Sequence, residues 1–379
     1  MQRNNKNNFS YIYFVKKFVL ILILVFHAIG MIAQNSKLSL ITCDPGDELY
    51  SSFGHSAIRW KDDSLGIDAV FNYGTFNFRT PGFYSKFLRG KLLYDLSVTD
   101  FNSFMEEYRY GKRSVVEQDF IIDEKEKQKF TDFLRTNAQP ENRSYKYDFF
   151  FDNCSTRIRD GLEKSKNTIP VYKSQEQGFT FRDYLHRYLT GKPWVRLGID
   201  LIIGSKADCE ASLENQMFLP DRLMSVMTES KLITPPHYIM SFPPEKEARA
   251  KAPWFTPNLV IIFIFIVLLL YSFKSPLVFT WLKRTIYFLA FIGGCLIVFL
   301  WFFTDHQATK MNWNLLWLNP LYIMLLFGKW KRPIALFLIS MVLLGSLSYI
   351  FDGLQMMKFC SIYLVLLLCL FSDIVEFNK

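Results

Sequence analysis

The chain has 379 residues, of which 50% are hydrophobic and 17% aromatic, a composition that excludes an intrinsically disordered protein. Its net charge of +9 divides into +4 over residues 1–33, zero over 34–253 and +5 over 254–379. Nucleic-acid-binding modules concentrate excess Lys and Arg on themselves, so the neutral central segment disfavours such a partner, and a basic excess beside apolar runs is typical of membrane proteins.

The first 33 residues have the pattern of a secretory signal. Four basic residues precede the apolar run Phe18–Ile32, which only His27 interrupts, and the small residue Ala33 follows it. A basic region, an apolar region and a small exit residue together typify a signal peptide. Met31 is large for its place before a cleavage site, so an uncleaved N-terminal anchor is the alternative. Both predict that residues from 34 onward lie outside the cytoplasm, because the positive end stays inside.

A predicted β-hairpin carries a histidine. His55–Trp60 has the character of a strand, Lys61–Gly66 that of a polar turn and Asp68–Gly74 that of a second strand. We therefore expect two antiparallel strands, with the histidine at the start of the first.

A predicted helix carries a cysteine. Asp152 and Asn153 are favourable N-cap residues, and Ile158 and Leu162 follow Cys154 at steps of four. Cys154 is thus expected in the first turn of a helix, on the face that packs inward.

A thiol in this position, with an imidazole beside it, is the pattern of a nucleophilic enzyme. A free thiol has a pKa of about 8.5, and a helix N-terminus stabilises an anion by at most about 2 kcal/mol, so a protonated His is needed to lower the pKa well below 7. We expect His55 to supply it, with Asn72 or, as second choice, Tyr73 holding the imidazole, since strand register cannot be derived from the sequence. The alternative is that Cys154 is a packed small hydrophobe and His55 a structural residue.

The predicted outside domain holds three cysteines, and an odd number in an oxidising compartment indicates one free thiol. A Cys43–Cys209 disulfide would leave Cys154 free. No Cys/His spacing of a zinc site, no phosphate loop and no dinucleotide fingerprint occurs, so neither a metal nor a cofactor is expected.

Other polar residues near the two segments are candidates for substrate contact. In the loop before the hairpin, Glu48, Tyr50 and Ser52 could line the site. Asn153 adjoins the thiol, and Arg157 could meet a phosphate head group, although a solvated helix face is the alternative for the arginine.

The C-terminal third predicts a membrane domain. Five apolar runs are long enough to span a bilayer: 257–273, 285–303, 312–328, 333–351 and 356–372. Lys and Arg cluster in the loops 274–284 and 329–332, which places those loops in the cytoplasm and the start of the first span outside. The predicted domains are therefore a globular domain over 34–247, a tether over 248–256 and a membrane domain over 257–379.

A polar patch occupies the expected outer edge of that membrane domain. It contains His306, Asn312 and Asn314. Polar groups at this depth are costly unless they are paired. Interhelical hydrogen bonds are one interpretation, and a docking site for a lipid head group or a lipoprotein, facing the thiol, is the other.

The motifs on which a family resemblance depends extend through the globular domain: Thr42–Tyr50, Phe53–Ile58, Phe71–Phe76, Phe150–Asp160 and Met217–Asp221. In these motifs and in its whole layout the chain resembles the Lnb family of Bacteroidota, which are lipoprotein N-acyltransferases with a periplasmic domain followed by membrane helices. More distantly, the order of its histidine strand and Asn-Cys helix is similar to that of the lecithin–retinol acyltransferase-like thiol enzymes.

The resemblance implies an α+β, circularly permuted papain-like extracytoplasmic domain followed by an all-α polytopic membrane domain of five helices, in the bacterial inner membrane. It implies that Cys154 takes a fatty acyl chain from a membrane phospholipid as a thioester. The acceptor it implies is the N-terminal amine of a diacylglyceryl-cysteine lipoprotein. The partners would then be two lipid substrates and the bilayer, with no nucleic acid and no cofactor.

Two other functions are compatible with the same residues. A membrane-tethered cysteine peptidase or amidase would use the same thiol and imidazole on cell-wall peptides, with water as the acceptor. A non-enzymatic envelope scaffold would need neither side chain.

Overall fold

The computed structural model of the protein describes residues 36–243, 255–327, 330–346 and 360–376. The predicted signal or anchor over 1–33 lies outside the described residues, as do all but the last two residues of the predicted tether.

Seven antiparallel strands form one sheet in the globular domain: β1 Ser36–Cys43, β2 His55–Asp62, β3 Ile67–Thr75, β4 Leu93–Asp100, β5 Val115–Asp119, β6 Ser144–Lys146 and β7 His237–Met240. Their spatial order is β6-β4-β3-β2-β1-β5-β7. The predicted hairpin is confirmed, because β2 pairs with β3 and Ile58 lies opposite Phe71. Period-two alternation places the apolar side chains of these central strands on two buried faces.

Eight α-helices surround the sheet in the described part of this domain: α1 Phe83–Leu88, α2 Phe101–Tyr110, α3 Glu124–Asn137, α4 Cys154–Ser165, α5 Phe181–Tyr188, α6 Pro193–Ile202, α7 Leu213–Gln216 and α8 Pro220–Glu229. One face of the sheet packs against α3, α4 and α8, with Ile58, Phe71 and Ile158 in a shared core. The other face packs against α2, around Ala57 and Phe104. The domain is thus α+β. In space, the first turn of α4 lies next to the first residue of β2.

The membrane domain contains four α-helices among the described residues: α9 Pro257–Lys274, α10 Pro276–Phe302, α11 Lys331–Ser346 and α12 Cys360–Glu376. Of these, α9 and α10 are long and apolar enough to cross a bilayer. The expectation of a third spanning α-helix over 312–328 is wrong, since this segment forms two short 3-10 helices, Trp313–Leu316 and Pro320–Leu326, packed against α10.

Asparagine and proline chemistry explains this break. Asn312 Oδ1 accepts a hydrogen bond from the backbone N–H of Asn314, and Asn319 Oδ1 accepts one from the N–H of Leu321. Such local bonds replace helical ones, and Pro320 has no N–H to donate to the preceding turn. Hydropathy alone registers none of these effects.

The first two membrane helices have the predicted orientation relative to the globular domain, but the predicted loop 274–284 is wrong, because α10 already begins at Pro276. The indole Nε1–H of Trp194, in the globular domain, donates to the carbonyl of Phe255 just before α9 (3.0 Å). The loop after α10 also contacts the globular domain, since the N–H of Asp305 donates to the carbonyl of Arg89 (2.9 Å). Near the opposite end of α10, Lys283 and Asp373 form a buried ion pair (2.6 Å). Both the start of α9 and the end of α10 therefore lie on the side of the globular domain.

Candidate active site

Asn153 determines where α4 begins. Its Oδ1 accepts hydrogen bonds from the backbone N–H groups of Ser155 (2.8 Å) and Thr156 (3.0 Å), and the hydroxyl of Thr156 accepts from the N–H of Asn153 in return. This reciprocal capping box satisfies N–H groups that a helix end otherwise leaves unpaired. It makes Cys154 the first residue of the helix, as the sequence predicts.

The amide nitrogen of Asn153 is also fully engaged. It donates to the carbonyls of Phe149 (2.8 Å) and Phe218 (2.9 Å), and the side chain is buried. Asn153 therefore has no group left for a substrate, and its predicted role in substrate contact is replaced by that of a helix cap. The contact with Phe218 also explains the motif Met217–Asp221, which braces the cap from a distant part of the chain.

Gly54 allows β2 to start with its histidine. Gly54 has φ +78°, and a Cβ there would lie 2.9 Å from the carbonyl oxygen of Cys43. Both the positive φ and the close backbone approach favour glycine. His55 follows directly as the first residue of β2, opposite Cys43 on β1.

The imidazole of His55 is held from the neighbouring strand. Its Nε2 lies 2.6 Å from Oδ1 of Asn72 on β3. An amide oxygen only accepts, so Nε2 carries the proton and Nδ1 is the nitrogen left to face the thiol. Tyr73, the second candidate, is buried with its hydroxyl unpartnered within the described residues. The geometry thus places Asn72, and not Tyr73, on the imidazole.

The thiol of Cys154 has three polar neighbours. Its Sγ lies 3.9 Å from the hydroxyl of Ser155, and the imidazole of His55 and the backbone N–H of Ser56 both act on the charge of the sulfur. Burial alone raises the pKa of Cys154, but the positive imidazolium of His55 and these polar contacts outweigh it, and the pKa is lowered. Burial likewise opposes the charged form of His55, yet the neighbouring thiolate and the bond to Asn72 raise the pKa of the imidazole. The two shifts together favour a thiolate–imidazolium pair.

Cys43 shows the opposite behaviour. It is buried on β1, and burial raises its pKa far above that of a free thiol. Cys209 is exposed after a 3-10 turn at Ser205–Asp208, and both Cys43 and Cys209 are free thiols. The Cys43–Cys209 disulfide considered from the sequence is therefore wrong, because one cysteine lies inside the sheet domain and the other on its surface.

The walls of the site are glycine and tyrosine. Gly74, at a bulge in β3 with φ +91°, has space for a Cβ only 3.9 Å from that of Cys154 and 3.8 Å from the ring of Tyr147. Tyr147 stacks on Tyr94, with ring centroids 4.5 Å apart. The thiol thus borders an aromatic surface. Neither this surface nor the N–H of Ser56 produces a local signal in the sequence, because both reach the thiol from outside its own helix.

The loop before His55 is pinned from α6. Nζ of Lys192 donates to the carbonyl of Asp47 (2.8 Å) and to the hydroxyl of Ser52 (2.9 Å). Ser52 is buried and in turn donates to the carbonyl of Glu48, whereas the ring of Tyr50 is 69% exposed. Of the three predicted loop residues, Ser52 is a structural tie, while Glu48 and Tyr50 remain accessible at the surface.

The side chain of Arg157 is paired with a carboxylate just before its own helix. Its guanidinium forms two hydrogen bonds with Asp152 (2.6 and 2.9 Å) and stacks over the ring of Tyr145. This pairing differs from both interpretations of the sequence, a solvated face and a free phosphate ligand.

The predicted polar patch joins the two domains. Asn312 donates to the carbonyl of Leu201, Asn314 donates to that of Asp200 and His306 faces that of Phe87, at 2.8–3.0 Å. The two asparagines are almost completely buried. These three side chains bind backbone of the globular domain, an arrangement that neither interhelical bonding nor a free docking site describes. Within the described residues, no group of three or more His, Cys, Asp and Glu side chains could hold a metal ion.

Two family models match the chain. The Lnb N-terminal periplasmic domain matches residues 30–187, and the Lnb transmembrane domain matches residues 248–376. No curated protein and no solved structure matches the chain. The two matched ranges include the hairpin, the cysteine helix and all four described membrane helices.

Proposed function

The chain belongs to the Lnb family and is a membrane protein with a periplasmic domain, and on that premise we propose that it is a cysteine-dependent N-acyltransferase with a permuted papain-like arrangement of its catalytic groups. It moves a fatty acyl chain from a membrane phospholipid, through a thioester on Cys154, to the N-terminal amine of diacylglyceryl-cysteine lipoproteins in the inner membrane. The observation that carries the proposal is the thiol at a capped helix start, paired with an imidazole that Asn72 holds.

In the first step, the Cys154 thiolate attacks the ester carbonyl of the phospholipid. The C–O bond breaks, and the leaving lysophospholipid oxygen takes the proton from the imidazolium of His55. The lowered pKa of the thiol supplies the nucleophile near neutral pH, and the raised pKa of the imidazole keeps the proton available.

In the second step, the neutral amine of the lipoprotein attacks the thioester. The imidazole takes the amine proton, the C–S bond breaks, and the thiolate–imidazolium pair is restored. A thioester reacts more readily with an amine than with water, so a thiol nucleophile favours transfer over hydrolysis.

The negative oxygen formed in both steps needs a donor. The cap on α4 uses the N–H groups of Ser155 and Thr156, which leaves the N–H of Cys154 itself outside the cap. This N–H lies at the positive end of the helix and beside the reacting sulfur, so it is the donor that we assign to the oxyanion.

Mass spectrometry of lipoprotein N-termini tests the proposal. Cells with Cys154→Ala should contain only diacylated lipoproteins, and Cys209→Ser, which removes an exposed thiol, should leave the triacylated forms unchanged. An intact-protein mass with a fatty acyl group on Cys154 would identify the intermediate. Triacylated lipoproteins persisting in the Cys154→Ala strain would refute the proposal.

The same variants separate the peptidase alternative. Incubation of the purified protein with cell-wall muropeptides should leave them intact. Cleavage that is lost in Cys154→Ala would favour an amidase over an acyltransferase.

A further inference from the structure

A cavity of about 580 Å³ opens between the globular and membrane domains. Its walls are apolar and come from α10 and from the 3-10 helix that follows, and its one charged lining residue is Arg89 of the globular domain. The lining residues are Arg89, Cys295, Val298, Phe299, Phe303 and Pro320. Positions 295, 298 and 299 share one face of α10, at the end that lies next to the globular domain.

Arg89 is available for a ligand. It is exposed, and its guanidinium has no hydrogen-bond or ion-pair partner among the described residues. Its backbone carbonyl accepts from the N–H of Asp305 (2.9 Å), which holds the residue at the outer end of α10. A single cation beside an apolar cavity, at the end of a helix long enough to span a bilayer, matches a lipid with an anionic phosphate and a hydrocarbon chain.

The helix that precedes Arg89 is suited to a membrane surface. Its large exposed side chains include Tyr84 (80% exposed) and Phe87 (51%), and Phe78 (65%) lies just before it. Aromatic and basic residues together on a short helix favour the interface between head groups and acyl chains.

A row of aromatic rings leads from this helix to the thiol. Phe87 contacts Phe83, Phe83 contacts Phe76 and Phe76 contacts Tyr94, with ring centroids 5.4–6.3 Å apart. Tyr94 stacks on Tyr147, which borders the same glycine as Cys154. These contacts form an unbroken apolar row from the exposed helix to the tyrosine beside the sulfur.

We propose that this cavity is a binding site for one membrane glycerophospholipid, with an acyl chain between the α10 residues and its phosphate on Arg89. The site captures the acyl donor of the proposed reaction at the membrane end of the aromatic row, so its catalytic meaning rests on the proposed function, whereas lipid binding itself does not.

Photo-crosslinking tests the site directly. The full-length protein with Cys154→Ala, which cannot turn over, is placed in nanodiscs of phosphatidylethanolamine and phosphatidylglycerol that contain a diazirine-labelled phosphatidylethanolamine. Labelled peptides are mapped by mass spectrometry, and we expect label on residues 295–303. Filling the cavity with Cys295→Trp should reduce that label about tenfold, whereas Leu296→Trp, which places the same indole at an exposed neighbouring position outside the cavity lining, should not.

A second pair of variants tests the head-group contact without altering the core. Arg89→Gln should weaken capture of the probe about tenfold, as loss of one charge-assisted bond implies, and Lys86→Gln, one turn earlier and outside the cavity, should not. Equal labelling in Cys295→Trp and its parent, or in Arg89→Gln and Lys86→Gln, would overturn the proposal.

A separate readout distinguishes this site from the reaction. In protein that retains Cys154, the acyl adduct is measured by intact mass. The iodoacetamide reactivity of Cys154 checks that its pairing with His55 is intact. An absent adduct with normal crosslinking would remove the acyltransferase proposal and leave the lipid site. A normal adduct in Cys295→Trp would show that the donor does not use the cavity.

Discussion

At the level of single side chains, two buried cysteines differ in chemistry because their neighbours differ. Cys43 lies within the sheet domain, and burial raises its pKa. Cys154 is also buried, but the imidazolium of His55 and the N–H of Ser56 lower its pKa. Burial therefore does not by itself make a thiol inert; an adjacent positive charge reverses its effect.

This contrast predicts the pH dependence of alkylation. The thiolate is the reactive form, and a lowered pKa keeps Cys154 reactive toward iodoacetamide below the usual thiol pKa of about 8.5. In His55→Ala the burial remains and the imidazolium is lost, so the midpoint should rise above about 8.5 and the rate at pH 6.5 should fall about a hundredfold. Stopped-flow alkylation with peptide mapping measures both. An unchanged midpoint would show that the imidazole does not stabilise the thiolate.

Asn72 provides the second prediction at this scale. Its hydrogen bond raises the pKa of His55 and orients the ring, without contacting the reacting atoms. Asn72→Ala should therefore reduce kcat about tenfold with little change in KM. It should also move the alkaline limb of the pH profile to lower pH, because the imidazolium loses its proton earlier. Asn72→Asp, which keeps an acceptor oxygen, should restore that limb; if alanine and aspartate behave alike, the bond has no role.

The candidate catalytic residues can be predicted only in part from the sequence. Glycine before His55 and the N-cap before Cys154 are local signals, and they located both side chains. The choice between Asn72 and Tyr73 depends on register and on the bulge between Tyr73 and Thr75, which the paired strand determines. The partner of Arg157 cannot be read from the sequence for a similar reason, since Asp152 becomes its neighbour only when the turn before α4 is formed.

At the level of elements, the start of α4 combines a local and a distant contact. The oxygen of Asn153 caps the helix, and its nitrogen binds the carbonyl of Phe218 before α8. Helix start and tertiary packing thus depend on one side chain, so the position of the thiol depends on it as well.

Asn153→Ala tests this double role. Loss of the cap costs about 1 kcal/mol, and two buried carbonyls lose a donor, so we expect a loss of about 2 kcal/mol and a fall in Tm of roughly 5 °C. The alkylation rate of Cys154 at pH 6.5 should also fall. Asp100→Ala removes the cap of α2, where Asp100 accepts from Ser103, and should lower Tm by a similar or smaller amount with normal alkylation. Equal alkylation in both variants would contradict the role of Asn153 in placing the thiol.

Strands and helices can be predicted from the sequence where neighbouring residues in the chain determine them. The hairpin β2–β3 and the helix α4 follow from alternation, turn residues and capping. High hydropathy predicts a spanning helix over 312–328, although Asn319-Pro320 divides this segment into two 3-10 helices. Asparagine and proline act through backbone hydrogen bonds, to which a hydropathy count is insensitive.

For the whole molecule, the loop after α10 holds the globular domain against the membrane domain. The N–H of Gly204 donates to the carbonyl of Ala308 and that of Ser205 to the carbonyl of Met311. A Cβ at Gly204 would lie 1.8 Å from the carbonyl oxygen of Lys310, so the backbones touch. The sequence indicated the polar residues of this loop but not their partners, because a contact between domains leaves no periodic pattern in either one.

The contacts between the two domains differ in how much free energy they contribute to holding the domains together. This difference provides the last prediction. Asn314 is 1% exposed, and its amide donates to the carbonyls of Asp200 and Leu201. Asn314→Leu would leave these buried carbonyls without that donor, at a cost of about 1–3 kcal/mol. The ion pair between Lys146 and Asp305 is exposed, so Lys146→Ala should cost less than about 1 kcal/mol.

The loss of this contact should affect only the measurements that depend on how the two domains are joined. In Asn314→Leu, hydrogen exchange at the amides of Gly204 and Ser205 should accelerate. Alkylation of Cys154 should keep its normal rate, because Cys154 and His55 both lie in the globular domain. Acylation from phospholipid in nanodiscs should fall, and acylation from a water-soluble short-chain thioester should not, since only the bilayer-bound donor depends on how the globular domain sits on the membrane helices. Lys146→Ala should match the unaltered protein in all four measurements. Equal losses with both donors would instead place the effect of Asn314 at the thiol and contradict a role in joining the domains.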